Sequence, residues 1–409
     1  MEYYKFQRQG IDWLKSHFKC ILADEMGLGK TVQAIGLVNE CPGIKKVLIV
    51  CPASLKLNWA KELRSWLRRD MSVAVLSGSP KMGEVVTADV NIINYDILAK
   101  WGKKLRAVDW DAVFYDEAHY LKNAKAQRTK VALSLNANRL VFMTGTPMTN
   151  RPCELFNITS KIGLFQNRKV FEVRYCDAKL VRKFGMRIWD NTGSSNLDEL
   201  KAKLQPVMLR RLKKDVLTDL PDKTHQIVEL TGCREMFDGV EWFDGLPKHN
   251  SVTPDVRRLA GEAKVPAVVS HIQSVLEEKD KVIVFAHHQS VVGEIAGSLH
   301  EYNSRVITGN TPQKARHRIV EEFQTDPTVR VIVCNIQAAG VGLTLTASDV
   351  VMFAELDWVP GNMKQAEDRA HRIGQKNNVL VQYLVAPGVD ATIGEALAAK
   401  IKNMEAIGC

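Results

Sequence analysis

The sequence predicts an α/β protein built from two open parallel β-sheets, each covered by helices on both faces. Three observations predict it. Short, near-continuous apolar runs recur along the chain, as strands buried on both faces require. Each is followed by a segment of helical character, so strands and helices alternate. The 409 residues allow two or three domains at roughly 100–200 residues each, enough for two such sheets.

In the first part the runs are "CILA" (20–23), "KVLIVCP" (46–52), "VNIINY" (90–95), "DAVFYDEAH" (111–119) and "RLVFMTGTP" (139–147). Between them, "SLKLNWAKELRSWL" (54–67) reads as a helix with an apolar stripe of Leu57, Trp59, Leu63, Trp66 and Leu67. The second part repeats the pattern with "KVIVFAHH" (281–288), "SRVITG" (304–309), "VRVIVCN" (329–335), "DVVMFAE" (349–355) and "VLVQYLV" (379–385). Residues 161–255 read as inserted helical protrusions and a linker. They are basic and helical at first, then loop-like through "RIWDNTGSSN" and "FDGLPKHNSVTP". The expected domains are therefore 1–160, 161–255 and 256–409. No period of 20–50 residues recurs, which excludes a solenoid.

The composition, 45% apolar and 25% charged, is that of an ordinary globular protein. No apolar run approaches the roughly 18 residues that cross a bilayer. "MEYYKFQRQG" has no apolar segment resembling a secretory signal, so an intracellular protein without membrane partners is expected. Cysteines 20, 41, 51, 153, 176, 233, 334 and 409 form no C-x-x-C pair, which argues against zinc and a disulfide framework. The net charge of +10 favours polyanion partners. Between Lys161 and Arg187, Lys161, Arg168, Lys169, Arg174, Lys179, Arg182, Lys183 and Arg187 face only Glu172 and Asp177. A phosphate-contacting surface and a solvated helical face both fit that run.

"ADEMGLGKTVQ" (23–33) is close to the phosphate-loop pattern G-x-x-x-x-G-K-[ST], with Asp24 where the first glycine is expected. Gly27 and Gly29 let the backbone turn so that successive N–H groups face phosphates, and the following helix adds its N-terminal partial charge. Asp24, Glu25, Met26 and Leu28 complete the nucleotide loop, and Asp24 is expected to hold it through a local backbone hydrogen bond. Lys30 would reach the β- and γ-phosphates, and the Thr31 hydroxyl would ligate Mg²⁺. In "FYDEAH" (114–119), an aliphatic strand ends in two acids. Asp116 there suits Mg²⁺ held through water, and Glu117 suits polarising the attacking water. The two motifs together predict MgATP hydrolysis.

These motifs resemble those of superfamily-two, DEAH-box helicase-type motors. "YKFQRQGIDWL" (4–14) is similar to that family's adenine-reading block, with Gln7 at the glutamine. "DEMGLGKT", "DEAHYLKN", "LRRLKKDVLTDLP" (209–221) and "QAEDRAHRIGQ" (365–375) resemble Swi/Snf-type translocases of double-stranded DNA. "KVIVFAHH", "VVMFAELDWVPG" and "LAGEAKVPAVVSHI" most resemble the annealing-helicase, HepA-related branch.

The resemblance implies two RecA-like lobes and movement on duplex or branched DNA, with Arg369 and Arg372 offered to the γ-phosphate from the second lobe. Two guanidiniums neutralising a transferring phosphoryl group are worth orders of magnitude in rate. It assigns coupling of ATP state to DNA to Thr144, Gly145, Thr146, Gly340, Gly342 and Gln365. It assigns DNA-backbone contacts to Ser54, Asn58, Trp59, Thr308, Thr311, Thr344 and Trp358, where small hydroxyls suit phosphates without reading sequence. Two departures fall on the DNA side. The family's W-N-P is Trp358-Val359-Pro360 here, and Thr344 stands where Asn is common.

Rival readings are a strand-separating DNA or RNA helicase, an ATP-switched DNA clamp, and the motor subunit of a nuclease complex. No segment reads as a wedge or hairpin for splitting strands, and no second acidic cluster resembles a nuclease site. A monomer is expected, with targeting from the core or from partner proteins. Such a bare core suits a bacterial or phage-encoded, cytoplasmic protein; a eukaryotic one would be nuclear.

Overall fold

The computed structural model describes residues 2–83, 86–148, 150–183, 186–217, 219–230, 253–339, 343–386, 390, 393–394 and 400. The chain divides into two compact units, Met1–Thr218 and Asp219–Ile401. The segment expected between two domains, 161–255, is thus shared out between the units.

The first unit holds β1 (Lys19–Leu22), β2 (Val47–Cys51), β3 (Val73–Val75), β4 (Val90–Asn94), β5 (Trp110–Asp116), β6 (Ala137–Met143), β7 (Lys179–Lys183), β8 (Met186–Asp190) and β9 (Met208–Leu209). Seven of these form one parallel sheet in the order β3-β4-β2-β5-β6-β1-β9. Neighbouring residues on a strand serve opposite cores. Leu48 and Val50 of β2 join Val113 and Tyr115 of β5 on one face, while Val47, Ile49 and Cys51 join Ala112 and Phe114 on the other. Both faces being dry is why these strands carry no polar alternation.

The second unit repeats the plan with β10 (Lys223–Glu229), β11 (Val282–Ala286), β12 (Arg305–Ile307), β13 (Val331–Asn335), β14 (Val350–Phe353) and β15 (Val379–Val385). All are parallel, in the order β10-β15-β14-β11-β13-β12. Ile283 and Phe285 face one core, and Val282, Val284 and Ala286 the other.

Every apolar run read as a strand contains one. The unexpected strands lie at edges or outside the sheets, where water on one side removes the continuous apolar signal. The segment 161–255 needs correction. It does contain helices, at Arg168–Tyr175 and Leu197–Leu204, but β7 and β8 pair as an antiparallel hairpin. "RIWD" is the hairpin's second arm and not a loop, and a hairpin exists where none was expected. Residues 243–252 of "FDGLPKHNSVTP" lie outside the described residues. The helix Lys56–Trp66 buries Trp59, Ala60 and Leu63, whereas Leu57 is exposed. Leu57 stands off the face that the i, i+3, i+4 spacing of the buried residues defines.

One buried charge fixes the edge of the second sheet. Glu367, at the end of the helix Pro360–Glu367, accepts from Lys223 (2.8 Å) and Tyr383 Oη (2.8 Å) and meets His225 Nε2 at 3.0 Å. Burial pushes its pKa up, but the charges and hydrogen bonds of Lys223 and His225 outweigh this and bring it down to about 2. A carboxylate held below its ordinary value stabilises the fold above that value, and this stability is lost as pH falls toward 2. The shift corresponds to roughly 3 kcal/mol. Lys223→Met is expected to lower urea stability at pH 7 by about 2–3 kcal/mol. It should also flatten the acid limb between pH 4.5 and 2, both read by circular dichroism.

Candidate nucleotide site

The candidate groups of the first unit collect at the carboxyl edge of its sheet. β1 runs into residues 23–29 and then into the helix α1 (Lys30–Glu40). Gly29 caps that helix with φ +70°, a left-handed conformation that a side chain would strain. A Cβ there would also stand 2.3 Å from Gln7 Nε2. Gln7 is buried, and its Oε1 accepts from the Tyr4 N–H at 3.1 Å.

Gly27 also has positive φ, Met26 and Leu28 are buried, and Thr31 is half-buried. The Lys30 ammonium donates to Asp24 O (2.7 Å) and Glu25 O (3.4 Å). Burial holds its pKa below the ordinary lysine range, against the opposing charges of Glu117, Asp24 and Asp116; Arg210 adds to the depression.

Asp24 plays a different part from the expected one. It is fully buried, and its carboxylate is bound by side chains, not by local backbone. Arg211 Nε donates to Oδ1 at 2.9 Å, Arg211 Nη2 donates to Oδ2, and Gln33 Nε2 donates to Oδ2 at 3.0 Å. Arg211 Nη2 also reaches Gln33 Oε1 (2.9 Å), and Nη1 reaches Phe6 O. Gly10 makes room for this cluster, since a Cβ there would lie 1.8 Å from Gln33 Oε1.

The whole strip 208–213 runs beside the loop. Ala23 N donates to Leu209 O (2.7 Å), Glu25 N to Arg211 O (2.9 Å), and Lys213 N to Glu25 Oε2 (2.7 Å). Arg210 Nη1 bridges Ala23 O (2.6 Å) and Gly145 O (3.1 Å), while its buried Nε and Nη2 find no acceptor among the described residues. Sequence reasoning gave "LRRLKKD" no role in the site. The signal was the acid itself, because a carboxylate inside a buried phosphate loop requires a cation.

Asp116 ends β5 and is oriented from three sides. Trp59 Nε1 donates to Oδ2 (2.8 Å), Glu117 N donates to Oδ1 (3.0 Å), and Tyr95 Oη donates to its carbonyl (2.8 Å). Trp59 is therefore no DNA-facing group. It is 1% exposed, and its indole N–H serves the acid. Burial and Glu117 push Asp116 up to about 6, against the Trp59 hydrogen bond and Lys30. Glu117 follows in a left-handed conformation, φ +49°, and lies 3.3 Å from His119 Nδ1. Two adjacent buried carboxylates, one of them with a raised pKa, are a donor set that a divalent cation satisfies. From the next strand, Thr144 N donates to Leu22 O (3.1 Å), and Thr144 Oγ1 accepts from Thr146 N (3.1 Å), which folds "TGT" beside the loop.

In the second unit, Arg369 and Gln365 are buried, and Arg369 Nε donates to Gln365 O at 3.1 Å. Arg372 Nη1 donates to Leu343 O (3.1 Å) and Thr344 Oγ1 (3.0 Å), so Thr344 holds an arginine. Gly340 and Gly342 lie outside the described residues. Thr308 and Thr311 share one turn, Thr311 Oγ1 accepting from Thr308 N at 3.0 Å, and Arg316 ties their carbonyls at 2.8 Å each. Ser54 and Trp358 are half-buried, and Asn58 is exposed.

Fold and edge together define a helicase-type ATPase. Residues 6–234 match the SNF2-related domain and residues 264–374 the helicase conserved C-terminal domain. The chain belongs to the SNF2-related family, and its units are the two RecA-like lobes of such a core.

Bovine "DNA annealing helicase and endonuclease ZRANB3" is 37% identical over 95% of this chain and 39% of its own length. A Caenorhabditis elegans SWI/SNF-related, matrix-associated, actin-dependent regulator of chromatin (subfamily A-like protein 1 homolog) is 38% identical over 94% of this chain and 58% of its own length. The chain thus spans only part of these relatives. A solved Sulfolobus solfataricus SWI2/SNF2 ATPase core in complex with double-stranded DNA is 26% identical with a TM-score of 0.50, covering 100% of this chain and 93% of that one.

Removing the counter-charge of Asp24 has a definite expected cost. Arg211→Met leaves a fully buried carboxylate with Gln33 alone, and about 3–5 kcal/mol of urea stability should be lost. Adding Asp24→Asn should recover part of it, because a neutral amide needs no cation.

Proposed function

We propose that the chain is an ATP-driven translocase on duplex DNA that remodels branched structures such as forks. The observation that carries the chemistry is the single carboxyl edge gathering Lys30, Asp116, Glu117 and "TGT" around the phosphate loop. Lys30 is suited to leave the Asp24 and Glu25 carbonyls for the β- and γ-phosphates, and Gln7 to read the adenine. Thr31 and Asp116 would hold Mg²⁺, which when bound would neutralise phosphate charge. Glu117 orients the attacking water and accepts its proton. Arg369 and Arg372 supply cations to the γ-phosphate from the second lobe. Thr144, Gly145, Thr146 and Gln365 link the nucleotide to the DNA side, and Ser54, Asn58, Thr308 and Thr311 offer polar groups to the DNA backbone.

The DNA part of the reading rests on family membership and on relatives named as annealing helicase and as duplex-bound core. Each nucleotide state must favour a different lobe arrangement for hydrolysis to move the chain.

ATPase assays test this. Turnover should require DNA and fall steeply with salt, since backbone contacts release counterions. Full turnover without nucleic acid would refute the translocase. Lys30→Ala should abolish turnover, and Glu117→Gln should bind ATP without hydrolysing it. An active Glu117→Gln enzyme would remove that residue from its role. Trp59→Phe keeps an aromatic side chain but drops the donor to Asp116. It should raise the Mg²⁺ concentration for half-maximal turnover several-fold, read by titrating MgCl₂ at fixed ATP.

A further inference from the structure

The acid pair Asp116 and Glu117 is held by two different parts of the chain. The peptide joining the two is gripped at both ends: Tyr95 Oη donates to its carbonyl (2.8 Å), and its N–H donates to Asp116 Oδ1 (3.0 Å). Tyr120 N donates to the Glu117 carbonyl at 3.0 Å, and the Tyr120 ring stacks on Tyr95 with centroids 5.2 Å apart. Buried Tyr95 thus keeps Glu117 in its left-handed conformation, φ +49°, which persists only where the surroundings impose it. The other carboxylate oxygen, Asp116 Oδ2, accepts from Trp59 Nε1 at 2.8 Å.

Trp59 stands at a boundary within its own helix, Lys56–Trp66. Residues 53–58 include no buried side chain, and Leu57 and Asn58 are exposed. From Trp59 onward the helix is seated, with Trp59, Ala60 and Leu63 sharing one core with Cys51 of β2, Ile92 of β4 and Phe114 of β5. One peptide bond therefore separates a residue open to solvent from the side chain that orients Asp116.

The exposed turn suits a phosphate backbone. Its helix carries Lys56, Lys61 and Arg64 against Glu62 alone, and Ser54 and Asn58 add polar groups. The helix that Tyr95 opens begins differently, with an exposed acid, Asp96, that repels phosphate. Of the two grips on the acid pair, only the one through Trp59 adjoins a surface that suits DNA.

A hydrogen bond weakens steeply as its length and angle change, so a small displacement of the 53–58 turn alters how firmly Oδ2 is held. We infer that Trp59 is a positioning residue through which DNA controls hydrolysis. Phosphate bound on the 53–58 turn moves the indole N–H, which re-aims the Asp116 carboxylate, while Tyr95 keeps Glu117 in place. This rests on the translocase reading and adds how its hydrolytic site is regulated. DNA gains such control by binding more tightly to the arrangement that favours hydrolysis.

The test measures ATP turnover of the full chain with and without a saturating plain duplex, at MgCl₂ saturating for each variant. Trp59→Phe should lower the ratio of DNA-stimulated to DNA-free turnover about tenfold, with duplex affinity within about twofold of the parent. Leu57→Gly loosens the backbone between turn and indole at an exposed position, and it decides the case if Trp59→Phe melts early. It should cut stimulated turnover several-fold and leave DNA-free turnover unchanged, an outcome that a purely structural role for Trp59 does not produce. Tyr95→Phe releases the acid pair from the other grip, so both turnovers should fall alike and their ratio stay within about twofold. A parent-like ratio in either Trp59→Phe or Leu57→Gly overturns the positioning role, and so does an equal fall of the ratio in Tyr95→Phe. A parent chain stimulated by no DNA at all overturns the translocase reading itself.

Discussion

The buried carboxylate of Asp24 is the constraint around which the first lobe is arranged. A fully buried acid needs a cation and further hydrogen bonds, and here Arg211 and Gln33 supply them. Arg211 lies 187 residues away in sequence, so satisfying one acid fixes where a distant strip of chain must run. That strip extends the sheet through β9 alongside β1 and brings Arg210 onto Ala23 O and Gly145 O. The phosphate loop, the backbone at Phe6 and the "TGT" turn thereby become one hydrogen-bonded body. A loop so braced holds its backbone turn without a glycine at position 24.

The second lobe solves its edge in the same way. Glu367 is a buried acid, and its cation Lys223 and the imidazole of His225 come from the edge strand β10. Residues 208–209 join one sheet and 223–229 the other, each end fastened by a buried ion pair. The pairing also bears on Arg369. Glu367, which as a sequence neighbour could have neutralised that arginine, is already committed to Lys223, His225 and Tyr383. Arg372 is steadied by Leu343 O and the Thr344 hydroxyl, which gives the family's usual Asn position a different task here.

At the hydrolytic edge, geometry rather than composition sets the behaviour of the acids. Asp116 and Glu117 are neighbours at a strand end, and burial with mutual repulsion raises Asp116. Trp59 works against that rise while fixing the carboxylate's direction. The left-handed backbone of Glu117 turns the second acid away from the line of the strand. A strained residue of this kind persists where the surroundings over-determine it, and Tyr95 and Trp59 do so here.

The sequence by itself determined the two parallel sheets, because strands dry on both faces leave unbroken apolar runs, as in "KVLIVCP" and "VVMF". It also determined the phosphate loop and the acid pair, whose chemistry depends on residues adjacent in the chain. The edge strands β3 and β10 were illegible, since they have water on one side, and the charged alternation of "KLVRK" and "MRIWD" read as a basic helix and a loop. Trp59 read both as part of an apolar stripe and as a DNA contact, and only the folded chain shows its N–H on Asp116. Asp24 read as a local brace. Which cation neutralises it was settled by tertiary structure alone, because a buried charge takes the partner that folding brings near, and no spacing in the sequence encodes a neighbour 187 residues away.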